Sequence, residues 1–97
     1  MEARTTRIER EDGAGTSRYV YRIDGAEAEL TFRETGDGQI IIDHTGVPDA
    51  FRGQGMGAKL VAQAVEDARA AGKTIIPSCS FAAAQFKRHP EWADVRA

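Results

Sequence analysis

Phe51-Arg52-Gly53-Gln54-Gly55-Met56-Gly57, FRGQGMG, is the stretch on which the reading of the fold turns. Glycines alternate with larger residues behind a single arginine. Apolar residues at helical spacing follow at once: Leu60, Val61, Ala64, Val65 and Ala68. The run therefore predicts a glycine-rich lead into a main helix spanning Gly53 to Ala71, with Gly72 as its C-cap and Lys73 suiting the negative end of the dipole. Glycine frees the backbone torsions and removes the side chain that would hold a ligand off the main chain. A helix start also leaves its first N–H groups without internal partners, so an anion can rest there.

Upstream of this stretch the chain alternates. Tyr19, Tyr21 and Ile23 form the apolar side of a strand from Arg18 to Asp24, and Asp24-Gly25 is a two-residue hairpin signal. Ala26, Ala28, Leu30 and Phe32 alternate on the return strand. Gly36-Asp37-Gly38 turns into Gln39 to Val47, where Ile40, Ile41 and Ile42 run together as in a central strand covered on both faces. Residues 1–17 are polar and predict a partly loose lead-in, with a short edge strand at Thr6 to Arg10. Downstream, Thr74 to Ser78 predicts a strand ended by Pro77, and Ser80 a cap for a second helix from Phe81 to Arg88 that Pro90 stops. Glu91 to Ala97 is expected as a tail that docks Trp92 on the core. The fold class is thus α/β (α+β): an antiparallel meander followed by helix, strand and short C-terminal helix, as one domain over residues 18–97.

The 97 residues suffice for one core, and 41% hydrophobic with 29% charged residues is ordinary for a globular domain. A net charge of −2 argues against a nucleic-acid partner. The sequence has neither an apolar run of membrane-spanning length nor a leader pattern. Cys79 stands alone, so no internal disulfide forms, which fits a reducing cytoplasm. No His/Cys spacing suits zinc, and no metal is expected.

Gly53 to Ala58 formally fits a dinucleotide fingerprint. However, Pro48 to Arg52 separate it from the strand, and Ser78 and Cys79 stand where an acidic residue should hold a ribose. A P-loop fails because no Lys-Ser/Thr pair follows. In another frame Arg52 to Gly57 reads R-x-x-G-x-G, and with the strand-loop-helix-strand around it this resembles the acetyl-CoA motif of the GCN5-related N-acetyltransferases (GNAT). The likeness is closer to a very small YjdJ-type subfamily of GNAT-like N-acetyltransferase domain proteins. It is carried by Asp43 to Val47 (DHTGV), Phe51 to Gly57, Ile75 to Cys79 (IIPSC), and F-x-x-x-x-F-x-x-H-P-E from Phe81 to Glu91.

The resemblance implies a minimal GNAT-like fold and acetyl-CoA or CoA as cofactor. Its diphosphate would lie on backbone amides from Arg52, Gly53, Gln54, Gly55, Met56 and Gly57, with Ala58 and Lys59 nearby. The pantetheine arm would add along Thr45, Gly46 and Val47. The thioester would emerge near Ser78 and Cys79, with Phe81 and Phe86 either flanking the arm or closing the core. The implied activity is N-acetylation of an amine acceptor, on a small molecule, peptide or protein, by direct attack. Larger members carry a helix pair after the first strand. Here Asp24-Gly25 alone joins the strands, so the acceptor side would be open.

Two residues are candidates for chemistry. Cys79, ahead of a helix that favours a thiolate, is either an acyl-accepting thiol or a small buried hydrophobe. His44 is either a base or a core histidine, since period two places it on the face of Ile40 and Ile42. Asp43 would face the other way, as that base or as a merely solvated side chain, and no glutamate stands on the central strand to serve as base. His89 reads as a helix-end residue. A CoA-binding module without turnover and a protein-interaction domain stay open as alternatives.

Overall fold

A computed structural model describes residues 7–51 and 53–97. Arg52, expected as a phosphate partner, lies outside the described residues, as does Thr6 at the start of the expected edge strand. One sheet runs in the order β1 (Glu9–Asp12), β2 (Ser17–Ile23), β3 (Ala26–Glu34), β4 (Gln39–Gly46) and β5 (Thr74–Pro77). Neighbours are antiparallel except β4 and β5, which are parallel and joined through α1 (Met56–Ala71). The second helix, α2 (Ser80–Arg88), follows β5. Short 3-10 helices occupy Asp49–Phe51 and Pro90–Val95.

The meander follows from its turns. Asp24 and Gly25 both take positive φ, 49° and 82°, which matches the twist of the strands they join. The first strand lies at Glu9–Asp12 rather than Thr6 to Arg10, and returns to β2 through a tight turn in which Gly13 N–H bonds Thr16 C=O at 2.9 Å. Neither connection has room for a helix. The face of Tyr19, Ala28, Leu30, Phe32, Ile40 and Ile42 packs against Leu60, Val61, Ala64 and Val65 of α1. Among the described residues no helix lies over the opposite, outer face. Ile41 is therefore only half-buried, in contrast to the two-sided cover expected of its strand.

Most differences from the sequence expectations are local. The main helix begins at Met56, not Gly53, because Gly53 and Gly55 adopt left-handed φ of 80° and 64°. Its end is as expected: Gly72 at φ 71° donates to Ala68 and Arg69 carbonyls. The second helix is capped by Cys79 rather than Ser80, since the sulfur of Cys79 accepts the Ala82 N–H. The tail is a 3-10 helix that docks Trp92, 7% exposed, against Phe86. Ala97 N–H then bonds Ile75 C=O at 2.9 Å, covering the outer edge of β5.

The largest difference lies in β4. Phe32 pairs with Ile42, yet Thr31 pairs with His44, so Asp43 is an extra residue in a β-bulge. The bulge resets the alternation. Leu30, on the core face, now meets Thr45, and His44 joins Thr31 on the outer face, where it is exposed. The expectation that period two would place His44 beside Ile40 and Ile42 is overturned for this reason. His44 is not a core histidine.

Candidate functional site

Two features converge at the end of the sheet where β4 finishes and α1 starts. The first is a gap between parallel strands. Pairing of β4 with β5 stops at Ile42 and Pro77, while β4 runs on to Gly46. Pro77 cannot donate, and the Ile42 carbonyl takes the N–H groups of both Ser78 and Cys79, at 3.0 and 3.2 Å. Past that point the strands part. With the alternation reset by the bulge, the backbone N–H and C=O of Thr45 turn toward the gap. The gap is bounded on the β4 side by Thr45, Gly46 and Val47 and on the β5 side by Cys79.

Thr45 and Cys79 meet across it, with Oγ1 and Sγ 3.5 Å apart. The same sulfur accepts the Ala82 N–H at 3.4 Å, so α2 positions the thiol while one side of it stays half-exposed. Among the described residues, Val47 and Phe81 are the large apolar ones left open, at 40% and 39% exposure. Phe86 is 5% exposed and stacks edge-on with Trp92, so it closes the core. His89 ends α2, bonded to Glu91 at 2.9 Å and stacked on Trp92.

The second feature is the start of α1. No side chain caps it and no acidic residue sits in its first turn, so its leading N–H groups are left without a side-chain acceptor. The glycines divide by function. At Gly53 and Gly55 an added Cβ would meet nothing within 4 Å, so torsion alone requires glycine there. Gly57 is different: its Cβ would stand 2.6 Å from Cζ of Phe81, so the ring of α2 rests directly on the first turn of α1. Gln54 and Lys59 are exposed beside this turn, Met56 and Gly57 are buried, and Ala58 is half-buried.

On the outer face, the His44 ring leans over Gly46, whose added Cβ would lie 3.1 Å from Nε2. Asp43 is held by the Thr31 hydroxyl, which donates to it at 2.6 Å, and by Arg33 Nε at 3.2 Å. The Thr31 hydrogen bond, opposed in part by burial and helped by Arg33, keeps the Asp43 carboxyl below the usual carboxylate range. That clamp and the bulge it sits in were not read from the sequence, where an inserted strand residue leaves no periodic mark. Among the described residues no cluster of His, Cys, Asp and Glu could hold a metal. No described helix is long and apolar enough to cross a membrane.

Comparison with known proteins agrees with this architecture. The GCN5-related N-acetyl-transferase family profile matches residues 18–95. The NMR solution structure of a GCN5-like candidate N-acetyltransferase from Staphylococcus aureus superposes with a TM-score of 0.70 at 36% identity, covering 96% of this chain and 91% of that one. A profile match across most of the sequence, with 36% identity to a structure that superposes over nearly the whole chain, places the protein: it belongs to the GCN5-related N-acetyltransferase family.

Proposed function

We propose that the protein is an acetyl-CoA-dependent N-acetyltransferase of the cytoplasm, whose amine acceptor reaches the gap from the open outer face. The observation that carries this reading is β4 outrunning β5 beside an uncapped, glycine-led helix start. The site suits the cofactor's chemistry. Gly53 and Gly55 leave open space against the backbone, and the amides of α1 offer donors to a diphosphate with no acidic residue in the helix's first turn. The free edge of Thr45 to Val47 would take the peptide-like pantetheine arm as an added strand, with Phe81 along its apolar length.

Bound acetyl-CoA supplies an activated acetyl thioester. The protein's own residues would then do two things. The Thr45 N–H would donate to the carbonyl oxygen as negative charge develops there. The His44 imidazole, on the outer face one residue away, would take the proton released as the amine nitrogen bonds to the acetyl carbon and the sulfur leaves. Cys79 lines the thiol end of the same gap, where it would accept an acyl group or pack against the sulfur.

Release of free thiol from acetyl-CoA across a panel of amines and peptides tests the reading. An active protein exceeds the buffer rate with at least one acceptor, and Gly55→Trp abolishes that excess by filling the space over the helix start. Silence across the panel refutes it. A second reading, a CoA-binding module without turnover, is favoured by the tight Gly13 to Thr16 and Asp24-Gly25 turns, which leave no helix to shape an acceptor pocket. It expects thermal stabilisation by CoA that follows ligand concentration, with no thiol released. A protein-interaction domain would show neither and would be indifferent to Gly55→Trp.

A further inference from the structure

We propose that Asp43 is a positioning residue, the clamp that holds the β4 bulge and so decides which of His44 and Thr45 serves which side of the gap. The proposal rests on the acetyltransferase reading for its kinetic consequence, but the geometry it explains stands apart from that reading.

Continuing regular pairing from Phe32 and Ile42 would set Thr31 against Asp43, Leu30 against His44, and Glu29 against Thr45. The observed pairs are Thr31 with His44, Leu30 with Thr45, and Glu29 with Gly46. One inserted residue therefore exchanges neighbours between faces. Without it the imidazole would point into the apolar layer beneath α1, where a polar ring needs partners that Leu30 and Val61 cannot supply. The threonine hydroxyl would point outward, away from Cys79. The N–H turned toward the gap would be that of His44. With the insertion, the hydroxyl lies 3.5 Å from the Cys79 sulfur and the ring is free on the outer face.

Burial favours the bulge but does not by itself fix its position. An inserted residue is left unpaired, and the ladder is disrupted around it. Asp43 supplies what the ladder lacks. One carboxylate oxygen accepts the Thr31 hydroxyl at 2.6 Å and the other accepts Arg33 Nε at 3.2 Å. Those two residues flank Phe32, the last regular partner on β3, so the carboxylate spans the position where pairing breaks. Gly46 completes the arrangement, since a side chain there would crowd the His44 ring.

The test combines register and kinetics in Asp43→Ala, Thr31→Val and Thr31→Ser. In the native register the Hα atoms of Leu30 and Thr45 face each other and give a strong nuclear Overhauser contact. In Asp43→Ala and Thr31→Val this contact is expected to weaken, with a Leu30–His44 contact appearing as the register slips. Thr31→Ser, which keeps the hydroxyl, retains the native pattern. With the acceptor found by thiol release, kcat should fall about a hundredfold in the first two variants, the scale expected when reacting groups are misplaced by about an ångström, and stay within about twofold in the third. CoA affinity should fall less than kcat in the first two variants, because the diphosphate site at α1 is untouched and only the pantetheine edge at Thr45 to Val47 shifts with the register. A variant that merely loosened the fold would lose both together. Native Leu30–Thr45 contacts in both Asp43→Ala and Thr31→Val overturn the proposal, whatever the activity. If wild type turns over no amine, the functional reading fails while the register measurement still decides whether Asp43 holds the bulge.

Discussion

Gly57→Ala sets two effects of known sign against each other. Alanine replacing glycine inside a helix usually stabilises by about 0.8–1.0 kcal/mol. Here the new methyl would lie 2.6 and 2.9 Å from two carbons of the Phe81 ring, closer than any relaxed contact, so something must move. The ring is the end of a flexible side chain and already 39% exposed, so it swings outward rather than the backbone shifting. Fully burying a phenylalanine contributes about 1.5–3 kcal/mol, and the part lost here comes to about 1–2 kcal/mol. The two nearly cancel, leaving about 0–1 kcal/mol of destabilisation, or a Tm drop of less than about 8 °C. CoA affinity, by contrast, should fall about tenfold, because a displaced ring no longer lines the gap, and tenfold is about 1.4 kcal/mol. Urea unfolding and CoA titration of the single variant, of Phe81→Ala and of the double variant measure each part. In the Phe81→Ala background the sign should reverse, with Gly57→Ala stabilising by about 0.8–1.0 kcal/mol. A single variant more stable than wild type with unchanged CoA affinity, or a double variant that gains nothing, refutes the reasoning.

Three further outcomes follow from contacts away from the gap. Tyr19→Phe removes a buried hydroxyl that donates to Asp67 at 2.5 Å and ties β2 to α1, and should cost about 1.5–3 kcal/mol in urea unfolding. Burial and that hydrogen bond raise the Tyr19 hydroxyl above its ordinary value, so the loss should be the same at pH 7 and pH 9. Trp92→Ala should cost about 3–5 kcal/mol by calorimetry, since the ring bridges Phe86 and His89 and seats the tail beside β5. Acid should act through the carboxylates held below their usual range, Asp43 chiefly by Thr31 and Glu34 chiefly by Lys73. A depressed carboxyl contributes fully above its unfolded value and loses that contribution as pH falls through the folded one. The urea midpoint should therefore be flat from about pH 7 to 5 and drop below about pH 4, less steeply in Asp43→Asn.

The parts of this fold legible in the sequence are those with a local signature. Asp24-Gly25 accepts positive φ at both positions, Gly72 caps α1, and Leu60, Val61, Ala64, Val65 and Ala68 all prove buried. What escaped reading depends on contacts between segments. The tripeptide Asp43-His44-Thr45 looks like any continuing strand, because an inserted residue is visible only against its partner Thr31. The glycines of FRGQGMG look alike in sequence, yet two serve torsion and one serves a ring contributed from Phe81. Cys79 and Ser80 are both small and polar before a helix, and only the Ala82 N–H distinguishes which caps it. The gap was legible in outline from Pro77, which cannot extend the ladder. Its lining by Thr45 depended on the bulge.

The outer face raises a problem that its ion pairs resolve. Val20 is 1% exposed although no helix among the described residues covers that side. Its neighbours across the strands are Glu9 and Glu29, and Arg18 and Arg22 stand two positions to either side. Arg18 bonds Glu11 and Glu29 at 2.8 and 2.7 Å, and Arg22 bonds Glu11 and Glu27 at 2.9 and 2.8 Å. Pairs this exposed contribute little as charges, but they hold long aliphatic stems flat across the sheet. Cover, not charge, is then what Arg18 adds. Arg18→Ala should cost about 1–2 kcal/mol by uncovering Val20, whereas Arg18→Met, which keeps an aliphatic stem, should lose less than about half of that. Molar salt, which screens the pairs of the wild type, should leave the loss in Arg18→Ala unchanged. Equal losses in Arg18→Ala and Arg18→Met, or an Arg18→Ala loss that vanishes in salt, would mean that the pairs stabilise as charges, and the account of a face kept dry by its own ionic side chains would fall.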